Sequence, residues 1–233
     1  MAKKARSVGV IIVAGGSGIR FGGKTPKQFF RLNGKTILER SVARFALIPA
    51  VREVVVAVPV SFSKNRTVAG LQNRYKKISG IVSGGKTRQE SVWNGLMGFR
   101  SNPDVVLVHD AVRPFVTRNV IIRVIAATQQ HRAAVVGVPV SDTIKREIRK
   151  GFYGKTVDRR LLWTVQTPQG FMNDLLIKAH EKAVSNGFVG TDEASLVERI
   201  GVPVRIVEGS QMNIKITTRE DLRLAKVLAK RQP

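Results

Sequence analysis

The chain has 233 residues, 43% hydrophobic, 24% charged and 6% aromatic, which is enough for a sizeable core and too apolar for a disordered chain. Its 40 Lys and Arg against 16 Asp and Glu give a formal charge of +24, which favours anionic partners: nucleic acid, a lipid surface or phosphorylated small molecules. The absence of cysteine excludes a disulfide scaffold, thiolate zinc sites and thiol catalysis.

At about 100–200 residues per domain, the length predicts a single domain. Met1 to Arg6 is basic and Val8 to Ala14 apolar, a faint imitation of a signal peptide. The apolar run is short, meets Gly15-Gly16 and is followed by no small-residue cleavage site. No stretch approaches the ~18 consecutive apolar residues of a membrane span, so a cytoplasmic protein with no membrane partner is expected.

Val8–Val13 reads as the first strand, nearly continuous in Val and Ile, as in a parallel strand covered on both faces. A glycine-rich loop follows. Thr36 and Glu39 then form a capping box before Ile37, Val42 and Phe45, with Pro49 past the end of that helix. Glu53–Val58 is a second strand. Val92, Leu96 and Phe99 mark a helix face, Val105–His109 a strand, Val120–Thr128 a helix and Ala134–Val138 a strand. Residues 142–160 break the rhythm. They read as a β-hairpin with a Gly-rich turn and polar strands, too poor in apolar residues to bury itself, and therefore as an arm for a partner subunit. Asp174–Val184 and Asp192–Ile200 are helices, the latter stopped by Gly201; Val204–Val207 is a strand; Thr217 and Glu220 box a last helix, Leu222 to Leu228. Strands alternating with helices predict an α/β fold with a single, doubly wound, mostly parallel sheet.

The loop from Val13 to Gln28 is the most informative stretch. Ligands sit beyond the carboxyl ends of strands in such sheets, glycines let backbone N–H groups approach phosphate oxygens, and Arg20, Lys24 and Lys27 add positive charge. The dinucleotide pattern G-x-G-x-x-G fails, because Phe21 stands where the last glycine belongs. The P-loop pattern G-x-x-x-x-G-K-[ST] matches at Gly18, Gly23, Lys24 and Thr25, and Val105–Asp110 resembles its companion acidic strand. Pro26 directly after Thr25 opposes the helix a P-loop requires. A P-loop NTPase stays open as an alternative. A nucleic-acid binder, supported by charge alone, is opposed by the low aromatic count and the want of a recognisable module, so no specific nucleic acid is expected. Gly-Lys-Thr recurs at Gly23, Gly34 and Gly85 in unrelated contexts.

Ala14–Arg20 with Pro26-Lys27-Gln28 resembles the nucleotide loop of sugar-nucleotide and polyol-phosphate nucleotidyltransferases. The later blocks are Gly84–Ser91, His109–Pro114, Thr156–Arg159, Gln166–Pro168, Thr191–Ser195 and Asn213–Lys215. Together and in order they are similar to the 2-C-methyl-D-erythritol 4-phosphate cytidylyltransferase family of non-mevalonate isoprenoid biosynthesis. The resemblance spans nearly the whole chain. It implies a Rossmann-like nucleotidyltransferase fold whose β-hairpin arm, 142–160, forms a homodimer. The implied reaction joins CTP and a polyol phosphate, with Mg²⁺, releasing pyrophosphate; ribitol 5-phosphate is the alternative alcohol.

The resemblance also assigns roles. Arg20 and Lys27 are catalytic cations at the α-phosphate. Ala14, Gly15, Gly16, Gly85, Lys86, Arg88 and Ser91 bind the nucleotide. Arg159, Lys215, Asp110, Arg113, Thr143, Thr167 and Thr191 position the alcohol phosphate, and Asp110 is also a candidate metal ligand. Arg159 lies at the foot of the arm, which leaves open whether it serves its own subunit's site or the partner's. His109 is expected to be a packed histidine rather than a base, since a phosphate nucleophile is already ionised. Two departures from the family pattern stand out: Gly15-Gly16 in place of an alanine-glycine start, and Lys86 where an acidic residue is common.

Overall fold

The computed structural model describes residues 6–16 and 25–231. Among them, seven strands form one sheet built outward from β1 (Val8–Val13). β1 lies parallel between β4 (Val51–Val58) and β6 (Val105–Asp110), and β5 (Ile78–Ser83) pairs parallel outside β4. On the other side, β10 (Trp163–Met172) runs antiparallel between β6 and β7 (Ala133–Pro139), and β11 (Arg205–Glu208) closes the edge parallel to β7.

The apolar runs are continuous because both faces are covered. Side chains alternate across a strand, so Val8, Val10 and Ile12 meet α1 (Ile37–Ala46), α2 (Arg66–Arg74) and α4 (Arg118–His131). Ile11 meets α3 (Arg88–Met97), α5 (Asn173–Ser185) and α6 (Glu193–Arg199) on the other face. Ile11 and Ile12 are fully buried, each contributing about 1.5–3 kcal/mol from burial. A third cluster joins Leu32, Phe115 and Ile216 to the last helix, α7 (Arg219–Arg231).

Several expectations need correction. β5, α2 and β10 were not anticipated, and β10 makes the sheet mixed at that place. A small hairpin, β2 (Arg31–Leu32) with β3 (Lys35–Thr36), turns at Asn33 and Gly34, both with positive φ, the backbone that an Asn-Gly hairpin requires. The final helix is capped one residue later than expected: Thr218 Oγ1 accepts from Asp221 N–H at 3.1 Å, while the Asp221 carboxylate accepts from the Thr217 and Thr218 N–H groups. Thr36 does cap α1, accepting from Glu39 N–H at 3.0 Å. Asp192 caps α6, and Gly201 past its end has φ +78°.

Residues Ile144–Arg149 (β8) and Phe152–Val157 (β9) pair antiparallel as a separate two-stranded ribbon, exposed along most of its length. Its outer surface carries Ile148, Phe152 and Tyr153, with the Arg149 guanidinium 4.1 Å over the Phe152 ring. No helix among the described residues is long and apolar enough to cross a membrane.

Candidate active site

A cavity of about 380 Å³ opens beyond the C-terminal ends of β1 and β6. Two glycine loops meet at its wall. The first leaves β1 at Ala14, whose N–H donates to Ala57 O; the second leaves β5 at Gly84, whose N–H donates to Val58 O. A Cβ on Gly15 would stand 2.9 Å from Ser91 Oγ, and one on Gly84 would stand 3.0 Å from the Gly15 Cα. Only glycine allows the loops to approach this closely. A Cβ on Gly16 would meet nothing within 4 Å, so its backbone is bare toward the cavity.

The second loop is organised by the start of α3. Ser91 Oγ donates to Thr87 O at 2.9 Å and accepts from Gly85 N–H at 3.0 Å. Thr87 caps the helix, and Glu90 Oε2 reaches back to the Lys86 N–H at 2.7 Å. The helix N-terminus therefore faces the cavity, with its partial positive charge and the cations of Lys86 and Arg88 beside it. Across the cavity, Lys27 follows the extended Pro26 on a short 3-10 turn, Lys27–Phe29. No helix starts at Thr25, and α1 begins only at Ile37, which removes the P-loop reading. Gln28, unforeseen from sequence, is buried. Its Nε2 donates to Ala14 O at 2.5 Å and Gly16 O at 3.3 Å, clasping the loop.

Asp110 ends β6 at the centre of the site. Its carboxylate receives Arg88 Nε at 3.2 Å and Lys215 Nζ at 2.8 Å, with Arg113 Nε 3.9 Å away. Burial works to raise its pKa, but the surrounding cations outweigh burial and hold it well below the usual carboxylate range. Arg88 also grips Glu193 through Nη1, and Arg113 Nη1 donates to Asn213 O at 2.8 Å. Burial lowers Arg88, but Glu193 and Asp110 more than restore it, so it stays cationic. Three cations against two carboxylates leave the centre positive, as a receiver of phosphates requires.

His109 is fully buried beneath this cluster. It accepts from Thr167 Oγ1 at Nδ1, 2.9 Å, and donates from Nε2 to Arg113 O, 3.0 Å; this tautomer follows from the network. Burial pushes its pKa down to about 4, so it is neutral and packed, as expected.

A second lobe of about 210 Å³ shares Arg88, Asp110 and Lys215 with the first and adds Arg113, Gln166, Thr167, Gln169 and Thr191. β10 supplies three of these, because its antiparallel course brings its early residues to the C-terminal edge of the parallel strands. The Thr167–Pro168 peptide is cis. Of the residues anticipated, Ala14, Gly15, Gly16, Lys27, Gly85, Lys86, Arg88, Ser91, Asp110 and Lys215 line the first lobe, and Arg113, Thr167 and Thr191 the second. Arg20 lies outside the described residues. Thr143 and Arg159 are exposed at the foot of the ribbon, outside both lobes, and Arg159 Nη1 donates to Ser141 O. Sequence reasoning assigns no role to Gln28, Glu193, Gln166 or Gln169, although all but Gln169 lie inside the quoted blocks: Gln28 in Pro26–Gln28, Gln166 in Gln166–Pro168 and Glu193 in Thr191–Ser195.

The donor set does not fit a protein-held divalent cation. Such an ion takes one or two carboxylates plus substrate phosphates. Both oxygens of Asp110 are engaged by cations, Glu193 is engaged by Arg88, and no cluster of three acidic or His ligands occurs among the described residues. Asp110 thus stands as the counter-charge of Arg88 and Lys215, in a setting that does not suit a metal ligand.

Comparison with known proteins agrees with this arrangement. The profile of the 2-C-methyl-D-erythritol 4-phosphate cytidylyltransferase family matches residues 8–231. A relative of that name from Symbiobacterium thermophilum is 48% identical over 221 residues, spanning 95% of this chain and 92% of its own. One from Syntrophus aciditrophicus is 43% identical over 225 residues, 95% of each chain. Among solved structures, the Francisella tularensis 2-C-methyl-D-erythritol 4-phosphate cytidylyltransferase superposes with a TM-score of 0.80 at 37% identity, covering 95% of this chain and 99% of its own. That from Thermus thermophilus gives 0.77 at 36% identity, covering 97% and 98%. The chain belongs to the 2-C-methyl-D-erythritol 4-phosphate cytidylyltransferase family.

Proposed function

We propose that this chain is a cytoplasmic, homodimeric transferase that moves a cytidylyl group from CTP to 2-C-methyl-D-erythritol 4-phosphate, releasing pyrophosphate, in isoprenoid biosynthesis. A single nucleotidyltransferase domain, 1–233, does the work. The observation that carries this reading is a two-lobed positive cavity whose lobes share Arg88, Asp110 and Lys215. Two anionic substrates meet there with one cationic seam between them.

An oxygen of the alcohol phosphate attacks the α-phosphorus of CTP. The bond from that phosphorus to the β-bridging oxygen breaks, and pyrophosphate leaves with the electron pair. No covalent enzyme intermediate is needed, so catalysis consists of positioning and electrostatic stabilisation. The backbone of Ala14, Gly15, Gly16 and Gly85, with Lys86 and Ser91, holds the nucleotide; Arg20 and Lys27 neutralise charge developing on the α-phosphoryl oxygens. Asp110 holds Arg88 and Lys215 in place, and Arg113, Thr167 and Thr191 receive the alcohol phosphate. Arg159 and Thr143 complete that lobe from the partner subunit, reached through the 142–160 arm. Mg²⁺, if required, would come with CTP as part of the substrate and would add positive charge at its phosphates, since both oxygens of Asp110 are already engaged by cations.

The test is pyrophosphate release from CTP and Mg²⁺, with methylerythritol phosphate and with ribitol 5-phosphate in parallel. Release that requires CTP and methylerythritol phosphate together is expected; release only with ribitol phosphate overturns the substrate, and release with neither overturns the reading.

A further inference from the structure

Glu193 touches neither lobe's opening, yet it is tied into the centre of the site. It is the first residue of α6 and 1% exposed, and its Oε2 accepts from Arg88 Nη1. Arg88 presents Nε to Asp110 from the same planar guanidinium and lines both lobes. The fork is thus held at two corners by carboxylates from different elements, β6 and α6. A guanidinium held this way has a fixed plane and three N–H groups left over, which an ammonium group would not supply.

The residues just before Glu193 belong to the second lobe. Thr191 and Asp192 line it, and Asp192 accepts from Gln169 Nε2 at 2.6 Å while capping α6 through Ser195 N–H at 3.0 Å. Thr191 and Glu193 are two residues apart, so the second lobe's wall is joined to Arg88 through the start of α6. Stability alone does not account for the pair. A buried ion pair is often no better than an apolar pair of the same volume, whereas its geometric specificity has no apolar substitute.

Building on the function proposed above, we infer that Glu193 is a positioning residue that acts through Arg88 to couple occupancy of the alcohol-phosphate lobe to occupancy of the nucleotide lobe. Coupling is reciprocal, so each substrate binds more tightly when the other is present.

The test is calorimetric titration of methylerythritol phosphate into wild type and Glu193→Gln, with and without α,β-methylene CTP, which cannot react. Wild type is expected to bind the alcohol phosphate at least about fivefold more tightly with the analogue present. In Glu193→Gln that ratio falls to within about twofold of unity, while the affinity for the analogue alone changes less than about threefold. Glu193→Asp, which keeps the charge, recovers part of the ratio and carries the test if the Gln variant fails to fold by circular dichroism. A ratio in Glu193→Gln equal to wild type overturns the inference, as does a wild type that binds both ligands without coupling. A wild type that neither binds the analogue nor releases pyrophosphate fails the functional reading instead.

Discussion

The cavity wall and the ribbon are both crowded with charge, and they use it in opposite ways. At the wall, Asp110 is buried among Arg88, Lys215 and Arg113, and Arg88 is held by carboxylates from two elements. On the ribbon's return, Asp158 pairs with Arg160 two residues on, both exposed to water. Both carboxyls sit below their ordinary value: Asp158 through the hydrogen bond from Arg160, Asp110 through cations that override its burial. The lesson is that proximity of opposite charges is not by itself structure. Burial removes the competing water, makes each partner indispensable to the other, and so turns charge into geometry. In water, the same pairing fixes little, because solvent competes for both groups.

The contrast is broken or sharpened first at Asp110. Asp110→Asn leaves Lys215 and Arg113 without their counter-charge and Arg88 with Glu193 alone, and is expected to cost about 3–5 kcal/mol of stability, read by urea denaturation. A loss below about 1 kcal/mol would mean that the cluster is far wetter than its burial indicates. Arg20→Ala and Lys27→Ala act on the reaction instead. Each is expected to lower turnover about 10²–10³-fold with an unchanged melting temperature, and unchanged turnover in both would remove their assignment. The ribbon is tested by mixing. Arg159→Ala and Lys27→Ala are each expected to be nearly inactive, yet co-expressed heterodimers should regain activity, because one of their two sites carries neither defect. Failure to regain activity would place Arg159 in its own subunit's site.

A smaller effect comes from the buried histidines. Burial pushes His109 and His180 down to about 4 from 6.5, with the nearby Arg88 adding to the shift at His180. Between those values the unfolded chain takes up a proton that the folded chain refuses. Stability should therefore fall as pH drops from about 6.5 toward 4, by about 1.4 kcal/mol per pH unit for each histidine in mid-range. Thermal melts of His180→Gln should show a shallower slope than wild type. The smallest effect is expected at Asp158→Ala, a melting-temperature change under about 1 °C. A change as large as that of Asp110→Asn would erase the contrast.

How legible these regions were in the sequence follows from the same physics. Strands buried on both faces, β1, β4, β6 and β7, announce themselves as unbroken Val and Ile because both faces demand apolar side chains. β5 lies at an edge, half-buried, with Ser79, Gly80 and Ser83, and leaves no such trace. β10 is hidden because Gln166, Thr167 and Gln169 sit in mid-strand, where they line the second lobe, and polar side chains there break the apolar pattern. The Asn33-Gly34 turn was readable and was passed over within a stretch rich in glycine. The glycine loops, Asp110, Arg88 and Lys215 were found by motif and meet in space as expected. Glu193 lies inside the Thr191–Ser195 block, but its role rests on a contact with Arg88, 105 positions away, and no local pattern carries that distance.

The place where the ribbon joins the sheet has one more consequence. Pro139 at the end of β7 lies directly opposite Trp163 at the start of β10, and Val140 N–H donates to Leu162 O at 3.1 Å. The intervening segment, 140–162, thus leaves and re-enters the sheet through adjacent hydrogen-bonded positions. Changing the length of such a closed excursion costs little chain entropy and disturbs no core contact. It is a cassette. Its length and sequence could change with the pairing of β7 and β10 left as it is.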